Sequence, residues 1–126
     1  TNQACVGRKL ATQGQIDLIH SKMFNYLSKK NITVLKIYVC PHHWEDNCDC
    51  RKPKPGMLLQ ASSDFSFRLD KTLYIGDDPR DFEAASRAGT TSVIVGDQGE
   101  SSKRSKGAHY FPTLLNSLEF IKRRMS

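Results

Sequence analysis

Three of the chain's four cysteines fall within eleven residues, with a histidine among them: Cys40-Pro41-His42-His43-Trp44-Glu45-Asp46-Asn47-Cys48-Asp49-Cys50. The spacing C-x-H-x5-C-x-C offers three thiolates and one imidazole from Cys40, His42, Cys48 and Cys50. That is a closed, four-coordinate set of the kind that holds structural zinc. The two single-residue spacings let neighbouring ligands reach one ion from a turn, and the five residues between them close the loop. His43 is the alternative to His42. A set with no open position argues against catalytic zinc. The ion would instead pin a loop too polar to be held by packing. Cysteines bunched in this way do not read as a disulfide framework, and they fit a reducing cytoplasm.

The loop runs into Arg51-Lys52-Pro53-Lys54-Pro55-Gly56-Met57, where two prolines restrict the backbone. Cations fixed beside a metal loop suit a phosphate: Arg51 can grip two oxygens at once, and Lys52 acts as a point charge. A second cluster, Gly76-Asp77-Asp78-Pro79-Arg80-Asp81, gathers three carboxylates. Oxygen donors of this kind are what Mg²⁺ prefers, and the ion usually keeps waters and shares a substrate phosphate. Asp77, directly after Gly76, is the expected ligand. Asp81 could hold a metal-bound water, cap a helix or serve as a charge partner at its terminus. Asp78 reads as a surface carboxylate or an anchor for a basic neighbour. In Thr1-Asn2-Gln3, a hydroxyl, a backbone amide and a side-chain amide could cradle a phosphate without adding charge.

These groups need a scaffold, and the apolar pattern supplies one. Ile16, Ile19, Met23, Tyr26 and Leu27 recur at helical spacing, which predicts a helix over Gln13 to Ser28. Thr33 to Val39 is a β-branched and aromatic run and predicts a strand. Cys40 to Lys54 must be a loop, and a helix follows Pro55. A strand is expected over Thr72–Ile75, a helix over Asp81–Ala88 capped by Gly89, and a strand over Ser92–Val95. After a polar stretch from Gly96 to Gly107 come a short strand at Ala108–Phe111 and a helix striped by Leu114, Leu115, Leu118, Ile121 and Met125. Helices alternating with apolar strands predict an α/β fold with a parallel sheet. Ligands of such sheets sit at the carboxyl ends of the strands, where all three polar clusters fall.

The length of 126 residues suits one domain. No apolar run approaches the roughly 18 residues of a membrane helix. The net charge of +6 comes largely from Arg51-Lys52-Pro53-Lys54, Lys103-Arg104-Ser105-Lys106 and Lys122-Arg123-Arg124. A basic surface favours anionic partners. The last two clusters carry no interleaved aromatics, which argues for solvated charge and against nucleic acid.

Taken together, T-N-Q, C-P-H-H…C-D-C-R-K-P-K-P-G-M and I-G-D-x-x-x-D-x-x-A-A-x-x-A-G resemble the haloacid dehalogenase (HAD) superfamily of phosphatases. In that family a Thr or Ser at a strand end, a Lys and an acidic turn form the second, third and fourth motifs. Thr1, Lys52 and Asp77 with Asp81 match them. The pattern is similar to the branch containing D-glycero-D-manno-heptose 1,7-bisphosphate 7-phosphatases and histidinol-phosphate phosphatases, which share the zinc loop and its R-K-P. The length of the loop does not separate these two, whereas Pro55-Gly56-Met57 favours the heptose enzymes. Polynucleotide phosphatases share T-N-Q-like residues but lack the zinc loop.

The resemblance implies a Rossmann-like HAD fold over residues 1–126, with a zinc-binding loop at 40–54 and both Mg²⁺ and Zn²⁺ as cofactors. It implies a small phosphorylated sugar as substrate, no membrane or nucleic-acid partner, and a cytoplasmic monomer. It also implies a mechanism in which an aspartate attacks the phosphoryl group and a second aspartate, two residues on, serves as acid and base. Thr1 and Asn2 would contact the phosphoryl group, Lys52 would neutralise charge on it, and Arg51 would meet the substrate's other phosphate. The aspartate pair belongs to a D-x-D-x-T/V motif that these residues do not contain; Gln15-Ile16-Asp17 and Leu69-Asp70-Lys71 do not fit it. Family members would carry it on roughly 45–50 residues ahead of Thr1, about one βα unit plus a strand. That strand would lie between those at Thr33–Val39 and Thr72–Ile75. This chain alone is therefore expected to be inactive. Cys5 stands where relatives carry a small residue, and reads as a packed small hydrophobe or a reactive thiol.

Overall fold

The structure, a computed structural model, describes residues 1–96 and 105–126. The predicted basic pair Lys103-Arg104 lies outside the described residues, as does most of the polar stretch after Gly96. The described chain forms two compact units, Thr1–Arg51 and Lys52–Ser126. No helix among the described residues is long and apolar enough to cross a membrane.

In the first unit, α1 (Ala4–Gly7) is a single turn that the apolar pattern did not announce, and α2 (Gln13–Ser28) has the predicted bounds. Thr12 caps α2. Its hydroxyl accepts from the Gln15 amide at 3.2 Å, and the Gln15 side chain accepts from the Thr12 amide at 2.8 Å. This reciprocal pair satisfies two donors that a helix start otherwise leaves orphaned. The predicted strand at Thr33–Val39 does not form a ladder. Only its end is paired: Thr1 N donates to Tyr38 O at 2.6 Å, Cys40 N to Thr1 O at 2.8 Å and Gln3 N to Cys40 O at 2.7 Å, giving one isolated parallel bridge, Asn2↔Cys40. β propensity reflects how a residue fits beside its neighbours on a sheet. Residues 33–37 have no such neighbours among the described residues. A single 3₁₀ turn, Trp44–Asp46, lies inside the Cys/His loop.

The second unit begins with a cis peptide between Lys52 and Pro53. It continues through α3 (Gly56–Phe65), a 3₁₀ turn at Leu69–Lys71, β1 (Leu73–Gly76), α4 (Pro79–Ala88), β2 (Thr91–Val95), β3 (His109–Phe111) and α5 (Leu114–Met125). The strands are parallel in the order β1-β2-β3, with Gly76 opposite Ile94 and Ile94 opposite Tyr110. The predicted α/β fold with a parallel sheet is therefore present. Ser92, Val93 and Ile94 on the central strand are buried, as are Ala84, Ala85 and Ala88 on α4. Alanines on that face let the helix lie close to the sheet. Burying Val93 and Ile94 contributes about 1.5–3 kcal/mol each. Gly89 caps α4 at φ 79°, a left-handed conformation in which glycine lacks the usual Cβ penalty. The register brings Gly76 and the carboxylates that follow it to the carboxyl end of β1.

Candidate functional site

The Cys/His loop of the first unit gathers the four predicted ligands. Cys40 Sγ, His42 Nδ1, Cys48 Sγ and Cys50 Sγ lie within 4.8 Å of one another. Cys40 Sγ stands 3.5 Å from both His42 Nδ1 and Cys48 Sγ, Cys50 Sγ 3.2 Å from His42 Nδ1, and Cys48 Sγ 3.6 Å from Cys50 Sγ. Tetrahedral zinc, with sulfur at about 2.3 Å and nitrogen at about 2.0–2.1 Å, needs edges of roughly 3.5–3.8 Å. The set fits zinc in donor chemistry and in size. His43 is engaged elsewhere: its Nδ1 accepts from Glu45 N at 3.1 Å and its amide donates to Asp46 Oδ2 at 2.8 Å. It caps the 3₁₀ turn while His42 faces the thiols.

The thiols perturb one another. Burial, followed by hydrogen bonds with Cys40 and Cys48, pushes Cys50 up to about 12. Burial also acts to raise Cys48, but the Arg51 backbone and the Cys40 and Cys50 thiols outweigh it and bring Cys48 down to about 7. One thiolate thus forms at the expense of the next. The loop rests on α1. Gly7 N donates to Pro41 O at 2.8 Å, and a Cβ on Gly7 would stand 2.4 Å from His43 N. Cys5, part-buried on the same turn, has its sulfur 3.6 Å from Gln3 Oε1. The Gln3 side chain in turn donates to the Thr1 hydroxyl at 3.3 Å. Arg51 Nη1 is buried and has no hydrogen-bond partner among the described residues. That is a donor in want of an acceptor.

The second unit centres on Asp81, 2% exposed at the first turn of α4. Its Oδ1 accepts from the Lys52 ammonium and, at 2.9 Å, from the Tyr74 hydroxyl. Its Oδ2 accepts from the Asp77 and Asp78 amides, each at 3.1 Å. A carboxylate has about four acceptor positions, and all are taken. Burial alone would raise the Asp81 pKa, but Lys52, Tyr74 and the Asp77 amide together hold it below the usual carboxylate range. Asp81 is thus a buried organiser of the turn and a partner for Lys52, with no lone pair left for a metal. Asp77 follows the last residue of β1 and is exposed. Its carboxylate suits Mg²⁺, which is commonly held by one or two carboxylates with waters and phosphate completing the shell. Asp78 anchors a basic neighbour, as expected, and also caps the helix, which was not expected of it. It caps α4 by accepting from Arg80 N at 2.9 Å and pairs with the Arg80 guanidinium at 2.7 and 2.9 Å. That guanidinium holds Asp78 down at about 2 against the opposing effect of burial.

The structure thus brings together the zinc set in one unit and Lys52 with the acidic turn in the other. Sequence reading missed Tyr74, whose hydroxyl reaches a residue seven positions on. A tyrosine in the strand that leads into the acidic turn was the available signal.

The HAD-hydrolase-like family profile matches residues 49–118. A D-glycero-beta-D-manno-heptose-1,7-bisphosphate 7-phosphatase of Neisseria meningitidis is 31% identical, over 96% of this chain and 68% of its own length. A D-glycero-alpha-D-manno-heptose-1,7-bisphosphate 7-phosphatase of Campylobacter jejuni is 32% identical, over 98% of this chain and 70% of its own. The crystal structure of the D,D-heptose 1,7-bisphosphate phosphatase of B. bronchiseptica, complexed with magnesium and phosphate, superposes with a TM-score of 0.86 at 30% identity, over 98% of this chain and 72% of that one. With its acidic turn, its lysine partner and its strand order all in place, the chain belongs to the HAD-like hydrolase family.

Proposed function

We propose that this chain carries the phosphate-binding and metal-holding parts of a phosphatase that removes the 7-phosphate of D-glycero-D-manno-heptose 1,7-bisphosphate. The observation that carries this reading is the agreement, over nearly the whole chain, with relatives named for that reaction. Relatives named for the β and the α anomer match about equally, so the proposal leaves the anomer open. Both units are read as parts of one HAD-type domain, a cytoplasmic monomer with neither membrane nor nucleic acid as partner.

In this reading Lys52 neutralises charge on the transferring phosphoryl group, and Asp81 holds the ammonium in place for that work. Thr1 and Asn2 donate hydrogen bonds to the same group. Arg51, whose buried Nη1 has no partner among the described residues, takes the substrate's other phosphate. Such catalysis is mostly positioning and charge stabilisation. Asp77 would hold Mg²⁺, which supplies positive charge against the phosphate oxygens. Cys40, His42, Cys48 and Cys50 would hold zinc and thereby fix the loop that leads to Arg51 and Lys52. The aspartate pair that serves as nucleophile and acid/base in the HAD family is not among these residues, so we read the 126-residue polypeptide by itself as inert.

The test joins the D-x-D-bearing N-terminal segment of the B. bronchiseptica enzyme to this chain and measures phosphate release. We expect Mg²⁺-dependent release from the heptose bisphosphate, little from histidinol phosphate, and a loss of about 100-fold or more on Lys52→Ala. A joined protein inert on both substrates overturns the function. Turnover by the 126 residues alone overturns the inertness.

A further inference from the structure

We propose that Tyr74 is a positioning residue for Lys52: its hydroxyl occupies Asp81 so that the ammonium is shared with that carboxylate rather than consumed by it. The role follows from counting donors. Four reach Asp81: Lys52, Tyr74 and the amides of Asp77 and Asp78. The two amides are fixed in the turn. Gly76 also crowds the carboxylate, since a Cβ there would stand 2.6 Å from Oδ2. Oδ2 is therefore immobile, and Oδ1 is divided between the phenol and the ammonium. Without the phenol, a buried lone pair on Oδ1 is left unmet, which is costly. Of the three remaining donors only Lys52, on its flexible stem, can move to meet it. The ammonium, already on Oδ1, then commits more of its hydrogen bonding to Asp81 and leaves less for an incoming anion. Burial and the charge of Asp81 push the Tyr74 ionisation upward, so the hydroxyl remains a donor.

The anion half of this inference rests on the phosphatase reading; the coupling of Tyr74 to Lys52 does not. The test therefore takes two readings on the zinc-loaded 126-residue chain: the Lys52 Nζ resonance at fixed pH without ligand, and the affinity for inorganic phosphate. Tyr74→Phe should shift the resonance and weaken phosphate binding by about tenfold. Replacing Tyr74 by 3-fluorotyrosine keeps the ring and strengthens the donor; it should restore the affinity and shift the resonance in the opposite direction. If folded Tyr74→Phe leaves the Lys52 resonance where it was, the proposal is wrong. If Tyr74→Phe does not fold, the fluorinated chain decides, and an unmoved resonance there overturns the proposal equally. If no chain binds phosphate but the resonance still answers to both changes, the coupling stands and the phosphatase reading fails.

Discussion

A Cβ built on Gly76 would stand 2.4 Å from the Cβ of Asp81 and 2.5 Å from its Cγ. The last residue of β1 must be a glycine if the carboxylate is to lie against the strand and collect its four donors. Gly76→Ala should cost about 1–3 kcal/mol in urea unfolding through overpacking. Gly14→Ala is the control: only Thr12 Oγ1 comes near, at 3.9 Å. It should be neutral or slightly stabilising, because alanine is the better helix former.

The Cys/His loop should bring about one zinc per chain by elemental analysis. Cys48→Ser and His42→Ala should each lower that content severalfold. His43→Ala should keep it, because His43 caps the 3₁₀ turn. Equal loss on changing either histidine would mean the ligand is misassigned.

The two units should respond differently to a chelator. In Thr1–Arg51 the buried apolar residues are Ile16 and Cys40, one of them a proposed ligand. In Lys52–Ser126 they include Ala84, Ala85, Ala88, Val93 and Ile94. So small an apolar core needs a staple. Stripping zinc should speed amide exchange throughout residues 1–51 by an order of magnitude or more, and leave β2 and α4 protected.

Acid should loosen the start of α4. The Arg80 guanidinium lowers Asp78 from 3.8 to about 2 in the folded chain. A carboxyl depressed by folding contributes stability that is complete above about pH 4 and is lost as the pH falls toward 2. Amide exchange at Arg80 and Asp81 should therefore quicken across that window, and Asp78→Asn should flatten the response. An identical pH dependence in both proteins would remove Asp78 from the explanation.

What could be read in the sequence was local. α2 has the bounds that apolar periodicity predicts, and Cys40, His42, Cys48 and Cys50 lie together because they share one short loop. Lys52 and Asp77 were singled out because each stands in a recognisable run. What failed depends on partners far along the chain. Thr33–Val39 has strand chemistry, but a ladder needs a neighbour, and among the described residues backbone pairing is confined to its end, at Tyr38 and the following Cys40. The burial of Asp81 was hidden because it is created by the closeness of Gly76 and by two donors, Lys52 and Tyr74, that no spacing rule connects. Tyr74 read as an ordinary strand residue for the same reason.

The bridge that ties Asn2 to Cys40 has a kinetic consequence. Its flanking hydrogen bonds join residues 37 apart. Closing a loop of that length costs about 3 kcal/mol in chain entropy. A few backbone hydrogen bonds, worth about 1 kcal/mol each, barely offset that. Metal binding to a structural zinc set is worth about 10–16 kcal/mol. Thr1, Asn2 and Gln3 should therefore settle only once the ion has arrived at Cys40. The arrival of metal, rather than collapse of the chain, would gate the last step of folding in this unit, and newly made molecules in a zinc-starved cell would wait there with Thr1, Asn2 and Gln3 still unplaced.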